Sequence, residues 1–232
     1  MKTGVIIQAR TGSTRLNSKV LKKLSDKSMI EHVVERCCQT KLPVVVATSV
    51  HNSDDILEKF LNEKKIPCFR GSLENVLERF VRCAEYYGFD NIIRVTGDNP
   101  LIDFEKMKIF KNYFLKDYVF IKGGAVGTGS EMVKTEVLQN NLKLNLEPYN
   151  GEHVTLYIRK NLEKFDFDLI EGDKRFEKLR LTVDEEDDFR LMEKIYSALY
   201  KNTPVKSDEL YNFYQSNSNL FRLNSHVCQN KV

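Results

Sequence analysis

The sequence predicts an α/β protein built on one mostly parallel central sheet. Short β-branched runs alternate with amphipathic helical patterns through the first half of the 232 residues, which is the arrangement of successive βαβ units. The second half loses this alternation, so we interpret residues 122–178 as an insertion. The main domain is then expected to span residues 1–201, and the polar residues 202–232 are expected to form a peripheral C-terminal tail.

Strands are predicted where short runs are rich in apolar and β-branched residues. In chain order they cover residues 4–9, 44–48, 67–70, 91–96, 118–121, 165–169 and 179–183. Helices are predicted where apolar residues recur three and four positions apart, with Ser53 and Ser72 as candidate caps of the second and third helix. These helices cover residues 29–40, 56–61, 76–87, 104–114, 152–162 and 189–200. We expect the strand at 179–183 to rejoin the main sheet.

The composition of the chain argues against several classes of protein. A net charge of +3, from 36 basic and 33 acidic residues, gives no reason to expect binding to nucleic acid or to an anionic membrane. Five cysteines without a Cys-x-x-Cys spacing argue against a disulfide framework and against a zinc site. No apolar run approaches the length of a membrane span. We therefore expect a cytoplasmic protein that does not bind a membrane.

The first strand runs directly into a basic loop. Arg10, Arg15 and Lys19 lie among Gly12 and several hydroxyl residues at the predicted start of a helix. Backbone N–H groups, the helix dipole and the full charges of arginine and lysine together favour a polyphosphate. The loop has neither the Walker A pattern nor Gly-x-Gly-x-x-Gly, so ATPase or dinucleotide chemistry does not follow. A solvated basic turn is the alternative interpretation.

Two aspartates stand where later strands end. Asp98 lies in a Gly-Asp-Asn-Pro turn after the strand at 91–96, and Asp184 follows the strand at 179–183. Ligands of open parallel sheets bind beyond the carboxyl ends of the strands, beside the basic loop. Mg²⁺ takes one or two protein carboxylates and completes its shell with phosphate oxygens and water. We predict a Mg²⁺ site at Asp98 and Asp184, although Asp98 could instead be a turn residue that bonds its own backbone.

Four motifs resemble, in order and spacing, those of the cytidylyltransferase family, and they cover about residues 4–200. Within the family they look like the SpsF type of spore coat polysaccharide biosynthesis, which is related to CMP-sialic acid and CMP-Kdo synthetases. The motifs are Ile7-Gln8-Ala9-Arg10-Thr11-Gly12-Ser13-Thr14-Arg15-Leu16 with Lys19-Val20-Leu21, Phe69-Arg70-Gly71-Ser72 with Asn75 to Arg79, Thr96-Gly97-Asp98 with Pro100-Leu101-Ile102, and Leu181-Thr182-Val183-Asp184. The segment from Glu152 to Arg159 is also similar.

The resemblance implies a three-layer, Rossmann-like (GT-A-like) nucleotidyltransferase fold whose insertion serves as a dimerisation and acceptor arm, and hence a homodimer. It implies catalytic roles for Arg10, Arg15, Lys19 and Asp98, with Asp98 and Asp184 as metal ligands. It implies nucleotide binding by Gln8, Ala9, Arg10, Gly12, Ser13, Arg15, Lys19, Thr48, Arg70, Ser72, Asn75, Thr96 and Gly97. It implies acceptor binding by Glu131, His153 and Arg159, although a lone histidine is more often structural. The sequence departs from the family at Asn17-Ser18, where many relatives have Pro-Gly.

The implied reaction is Mg²⁺-dependent transfer of CMP from CTP to a sugar acid or a phosphorylated sugar or polyol, with release of pyrophosphate. Two alternatives remain open at this stage. A GT-A-like glycosyltransferase would use a nucleotide sugar, but the turn at Asp98 lacks the Asp-x-Asp pattern typical of such enzymes. A nucleotide-binding protein without activity would bind CTP and form no pyrophosphate. The glycine-rich stretch 123–131 is interpreted as a mobile connection, because no lysine follows it.

Overall fold

The computed structural model describes residues 1–13, 15–144 and 153–228. Its strands are β1 (Thr3–Gln8), β2 (Lys23–Leu24), β3 (Lys27–Ser28), β4 (Val44–Ser49), β5 (Cys68–Gly71), β6 (Asn91–Thr96), β7 (Tyr118–Lys122), β8 (Glu131–Lys134) and β9 (Phe167–Glu171). Its α-helices are α1 (Met29–Cys38), α2 (Asp55–Glu63), α3 (Val76–Tyr87), α4 (Phe104–Met107), α5 (Thr135–Lys143), α6 (Leu156–Lys160), α7 (Glu186–Leu199) and α8 (Ser207–Ser216). None of the described helices combines the length and apolar character needed to cross a bilayer.

Seven strands form the central sheet in the order β5-β4-β1-β6-β8-β7-β9. Strands β5, β4, β1 and β6 are parallel neighbours, and β8 pairs antiparallel with both β6 and β7. The chain builds outward from β1 through β4 to β5 and then returns to the other side of β1 as β6. Such a reversal opens a crevice at the carboxyl ends of the two strands, where Gln8 lies opposite Thr96.

Helices cover both faces of the sheet, because successive side chains of a strand point to opposite sides. Val5 and Ile7 of β1 pack in one buried cluster, whereas Ile6 packs in another. The first cluster includes apolar side chains from α1, α2 and α7, and the second includes side chains from α3, α5 and α6. The predicted α/β class with three layers and a mostly parallel sheet is therefore confirmed.

Residues 179–183 do not form a strand of the sheet, which corrects the prediction. They lie along the glycine-rich loop: Val126 N–H donates to Leu179 O at 2.9 Å, and Leu181 N–H donates to Val126 O at 2.7 Å. Val183 N–H then donates to Asp98 O at 2.9 Å. The reason is that β8 already occupies the edge of β6 that this segment would have needed.

The interval 122–178 contributes β8 and β9 to the same sheet, with β8 between β6 and β7. Of the helix predicted at 152–162, the structure shows α6, and Glu152 lies outside the described residues. The described part of the C-terminal tail packs on the first core cluster rather than at the periphery. Three of its apolar side chains, Val205, Leu210 and Phe221, are buried there. They are easily overlooked in a segment that is mostly polar.

Candidate active site

A cleft of about 570 Å³ opens at the carboxyl ends of β1 and β6. Most of the predicted nucleotide and metal residues line it, together with one predicted acceptor residue. They are Gln8, Ala9, Arg10, Gly12, Ser13, Arg15, Lys19, Thr96, Gly97, Asp98, His153 and Asp184. Thr14 of the first motif lies outside the described residues. The wall also contains Arg94, Val126, Gly127 and Thr182, for which the sequence suggested no role.

The loop after β1 is fastened to the core by Asp54, a fully buried carboxylate at the start of α2. Its Oδ1 accepts hydrogen bonds from the backbone N–H and the hydroxyl of Thr11, each at 2.8 Å. Its Oδ2 accepts from the backbone N–H and the hydroxyl of Ser49. Burial alone would raise the pKa of Asp54, but these hydrogen bonds lower it below its ordinary value. Asp54 thus fixes the start of the loop.

Ser18 explains how the loop tolerates the departure from Pro-Gly. Its φ of 50° and ψ of 29° lie in the left-handed region, which glycine enters without a steric penalty. Its N–H donates to Thr11 O at 3.1 Å, and a short 3-10 helix, Lys19–Leu21, begins immediately after it. The backbone path that suits glycine is therefore kept with serine at that position, and Lys19 remains directed into the cleft.

Lys19 joins the two predicted metal ligands. Its ammonium donates to Asp98 Oδ2 at 3.1 Å, to Asp184 Oδ1 at 3.0 Å and to Val183 O at 2.7 Å. Arg15 approaches the same Asp184 oxygen at 3.1 Å. Burial tends to raise the pKa of Asp184, but Lys19, Arg15 and Arg180 together lower it below its ordinary value. The two carboxylates are therefore close together and share one cation.

The donor set suits a magnesium ion held jointly with a triphosphate. In the part of the chain that the structure describes, no group of three or more His, Cys, Asp or Glu side chains gathers at one point. A pair of carboxylates is nevertheless what Mg²⁺ needs when phosphate oxygens and water supply its other ligands. Lys19 stands between the two carboxylates, so phosphate oxygens would have to draw its ammonium away for both to reach one metal ion.

Two glycines allow the backbones around the cleft to meet. A Cβ at Gly97 would lie 2.9 Å from Ala9 Cβ and 3.2 Å from Gln8 O, at the point where β1 and β6 end side by side. A Cβ at Gly127 would lie 2.5 Å from the backbone nitrogen of Thr182, and its φ of +95° is itself unfavourable for other residues. The glycine-rich stretch is therefore packed against the segment that leads to Asp184.

The predicted nucleoside residues lie outside the lining of the cleft. Thr48 is fully buried in β4. The Arg70 guanidinium is held by Asp55 and Glu58, each at 2.7 Å. Ser72 and Asn75 both lie just before α3, and Asn75 caps this helix in place of the predicted Ser72. The connection from this region to the cleft is Arg10, whose guanidinium donates to Leu73 O at 3.4 Å.

The predicted acceptor residues divide between the cleft and a cluster around Glu131, in which the Arg159 side chain is 52% exposed. Glu131 is 4% exposed and accepts hydrogen bonds from the hydroxyls of Tyr118 and Thr155, at 2.9 and 2.7 Å. It also pairs with the guanidiniums of Arg159 and Arg94. Glu131 is therefore committed to protein partners. His153 lines the cleft itself.

Comparison with known proteins decides the family. A family model described as cytidylyltransferase matches residues 4–227. The chain belongs to the cytidylyltransferase family. It is 34% identical to the spore coat polysaccharide biosynthesis protein SpsF of Bacillus subtilis, over 91% of this chain and 93% of that protein. It is 32% identical to the 3-deoxy-manno-octulosonate cytidylyltransferase of Francisella tularensis subsp. novicida, over 45% of this chain and 42% of that one.

Among solved structures, a cytidylyltransferase from Leptospira borgpetersenii superimposes with a TM-score of 0.89, at 28% identity, over 100% of this chain and 98% of that one. The predicted family is thereby confirmed, and with it an enzyme of the nucleotidyltransferase class. The family match extends into the C-terminal tail, beyond the region of resemblance found from the motifs.

That tail supports the side of the cleft that contains Asp184. Asn224 Nδ2 donates to Asp188 Oδ1 at 2.8 Å, and the buried Asp188 accepts from the backbone N–H of Asp184 at 2.9 Å. Asp188 and Asp184 also share the guanidinium of Arg180. Sequence reasoning treated the acids after Asp184 as first-turn helix residues and missed this arrangement, because the partner lies 36 residues away.

Arg94 is another residue of the cleft whose role was not predicted from the sequence. It stands between Ile93 and Val95 of strand β6, two residues before the strand ends. A charged side chain in a central strand, close to the ligand-binding edge, is itself unusual and could have been found from the sequence. Asp54 carried no such signal, since an acidic residue at the start of a helix is ordinary.

Proposed function

We propose that this cytidylyltransferase transfers CMP from CTP to an acidic acceptor, a sugar acid or a phosphorylated sugar or polyol, and releases pyrophosphate. The observation that carries the proposal is the contact of Lys19 with both Asp98 and Asp184, directly beside the basic loop after β1. A polyphosphate placed there would meet cations and metal-binding carboxylates together.

Nucleotidyl transfer asks the protein mainly to align the acceptor oxygen with the α-phosphorus and to neutralise the departing pyrophosphate. Arg10, Arg15 and Lys19 are the groups for the second task. Asp98 and Asp184 would hold Mg²⁺, which supplies charge neutralisation and lowers the pKa of the acceptor hydroxyl when it is bound. Asp54 and the Asp188–Asn224 contact keep the loop and Asp184 in position.

The acceptor is the less defined substrate. Support for an acidic sugar comes from the relative whose name gives 3-deoxy-manno-octulosonate as its substrate. The relative SpsF supports a role in the biosynthesis of surface polysaccharide. We also propose that the protein works as a homodimer in the cytoplasm. All five cysteines are free thiols, which agrees with a reducing compartment.

The test is a screen of nucleoside triphosphates against acidic, phosphorylated and neutral acceptors, with pyrophosphate release as the readout in the presence and absence of Mg²⁺. We expect release with CTP, only with Mg²⁺, and only with an acidic or phosphorylated acceptor. No release with CTP and any acceptor would contradict the proposal. Release of a nucleoside diphosphate from a sugar nucleotide would instead support the glycosyltransferase alternative.

A further inference from the structure

Arg94 brings a positive charge to the cleft from a different part of the sheet than the basic loop. The side chains of Arg10, Arg15 and Lys19 follow β1, whereas Arg94 belongs to β6 and lies directly across from Glu131 of β8. Within the described ranges, the hydrogen bonds and the ion pair of Arg94 are with Gln8 and Glu131, and none is with a residue from Ala9 to Lys19. A triphosphate bound at the loop would therefore not use Arg94, which would be available to bind the second substrate.

The cluster around Arg94 carries an excess of positive charge. Glu131 is the one carboxylate within 4 Å of either guanidinium, Arg94 or Arg159, in the described ranges. The two hydroxyls that complete its contacts, from Tyr118 and Thr155, are neutral. Two guanidiniums that share one carboxylate have a net charge of +1. The Arg159 side chain is 52% exposed, but that of Arg94 is only 19% exposed. A partly buried charge such as that of Arg94 is costly unless an anion compensates it.

The hydrogen bonds of Arg94 are weak for a charged group. Its two terminal nitrogens donate to Glu131 Oε2 and to Gln8 Oε1, each at 3.4 Å. Its Nε–H is buried and has no acceptor among the residues that the structure describes. Burial and the neighbouring Arg159 lower the pKa of Arg94 to about 10, so the group still carries its charge at neutral pH. It has donor capacity that no protein group uses fully.

We propose that Arg94 binds the anionic group of the acceptor, a carboxylate or a phosphate, and that Glu131 acts as the positioning residue for this guanidinium. The inference rests on the proposed function and adds the residue that selects an acidic acceptor. The planar fork of arginine can bind either anion through two parallel hydrogen bonds, which a lysine cannot do. Arg159 is held in place by Glu131 and by Tyr118, to which its Nε donates at 3.2 Å.

The kinetic test compares Arg94→Met and Arg94→Lys with the wild type and with Arg82→Met, a change at an exposed arginine of α3. With the acceptor found in the screen, we expect Arg94→Met to raise the acceptor KM by about 10²-fold and to leave the KM for CTP within about threefold. The acceptor KM of Arg94→Lys should lie between those of the wild type and Arg94→Met, and Arg82→Met should resemble the wild type. An unchanged acceptor KM in Arg94→Met would overturn the inference. Thermal unfolding of each variant verifies that it is folded.

A binding test separates this inference from the proposed function. The full-length protein, alone and saturated with CDP, is titrated calorimetrically with glucuronate, glucose 1-phosphate and glucose. We expect one of the two anions to bind, glucose not to bind, and Arg94→Met to weaken anion binding by about tenfold or more. The anion that binds distinguishes a carboxylate from a phosphate. Equal binding by the wild type and Arg94→Met would overturn the inference, while Arg94-dependent binding without pyrophosphate release from CTP would overturn the proposed function alone.

Glu131→Gln tests the positioning role. The glutamine keeps the size of the side chain but removes the charge that orients Arg94, so the acceptor KM should rise while the KM for CTP stays constant. The same rise in both KM values would indicate general disruption of the cleft and would contradict a positioning role. Because Glu131 is buried, the thermal unfolding of this variant is measured beside its kinetics.

Discussion

The two sides of the cleft differ in how the chain assembles them. On the side next to β1, one contiguous segment, Gln8 to Lys19, supplies the basic loop, while Asp98 follows β6 and Asp184 follows the segment 179–183. The side next to β6 and β8 is dispersed, because Arg94, Glu131 and Arg159 come from three separate elements. A contiguous site leaves a motif in the sequence, whereas a dispersed one leaves single residues whose role depends on the fold.

The two sides also differ in their charge balance. On the β1 side, Lys19 and Arg15 are paired with Asp184, and Lys19 is also paired with Asp98. A bound triphosphate would pair with Lys19 and Arg15, and a metal ion would pair with the two aspartates, so new ion pairs would replace the existing ones. On the β6 side, one carboxylate serves two guanidiniums. The first side suits a substrate that brings its own cation, and the second suits a substrate that brings only an anion.

The largest effect is expected at the two carboxylates that we propose hold Mg²⁺. Asp98→Asn should retain CTP binding and lose about 10²-fold or more in turnover, because the neutral amide no longer helps to hold the charge-neutralising metal ion. Pyrophosphate release and calorimetric titration with CTP measure the two properties separately. Asp26→Asn, in the exposed turn between β2 and β3, is the control. Near-full activity of Asp98→Asn with Mg²⁺ would remove Asp98 from the metal site.

The anchor of the basic loop gives a pH-dependent prediction. The folded-state pKa of Asp54 lies below its ordinary value of 3.8, so its ionised form stabilises the fold above that pH, and this contribution is lost as the pH falls through the folded-state pKa. Asp54→Asn should lower the free energy of unfolding by about 1–3 kcal/mol at pH 7. The difference from the wild type should shrink towards pH 3, as urea unfolding at both pH values would reveal. A difference that is equal at the two pH values would argue against this role.

The C-terminal tail offers a smaller test of the same side. Asn224→Ala removes the hydrogen bond to Asp188 and should lower turnover about tenfold, within the 1–3 kcal/mol typical of hydrogen bonds to charged groups. The acceptor KM should not change, because the acceptor side has no contact with this residue. Asn219→Ala, at an exposed position of the same segment, is the control. A changed acceptor KM with unchanged turnover would show that the tail serves the other substrate.

The smallest effect is expected at Ser18. Replacement by glycine removes the penalty of the left-handed conformation and should stabilise the fold by about 0.5–1 kcal/mol, measured by urea unfolding. CTP binding should be unchanged, because Lys19 keeps its position. If Ser18→Gly lowers stability, the contact of the Ser18 hydroxyl with Asn17, at 3.3 Å, contributes more than the backbone conformation costs.

Much of the fold and one side of the site follow from the sequence. The runs that became β1, β4 and β6 are short and rich in β-branched residues, so local pattern and tertiary context agree. The segment 179–183 has the same pattern but lies beside a loop, since its place in the sheet is taken by β8. The roles of Ser72 and Asn75 at the start of α3 likewise depend on where that helix begins, which local propensity does not determine to the residue.

The most direct test of the two-sided cleft is a steady-state comparison of Arg15→Gln with Arg94→Met, in which both KM values are measured for each variant with Mg²⁺ present. Arg15 contacts Asp184 and Arg94 contacts Glu131, so each change affects one side. We predict that Arg15→Gln raises mainly the KM for CTP, by about tenfold, and that Arg94→Met raises mainly the KM for the acceptor. If both variants raise the same KM, the cleft does not divide its substrates in this way.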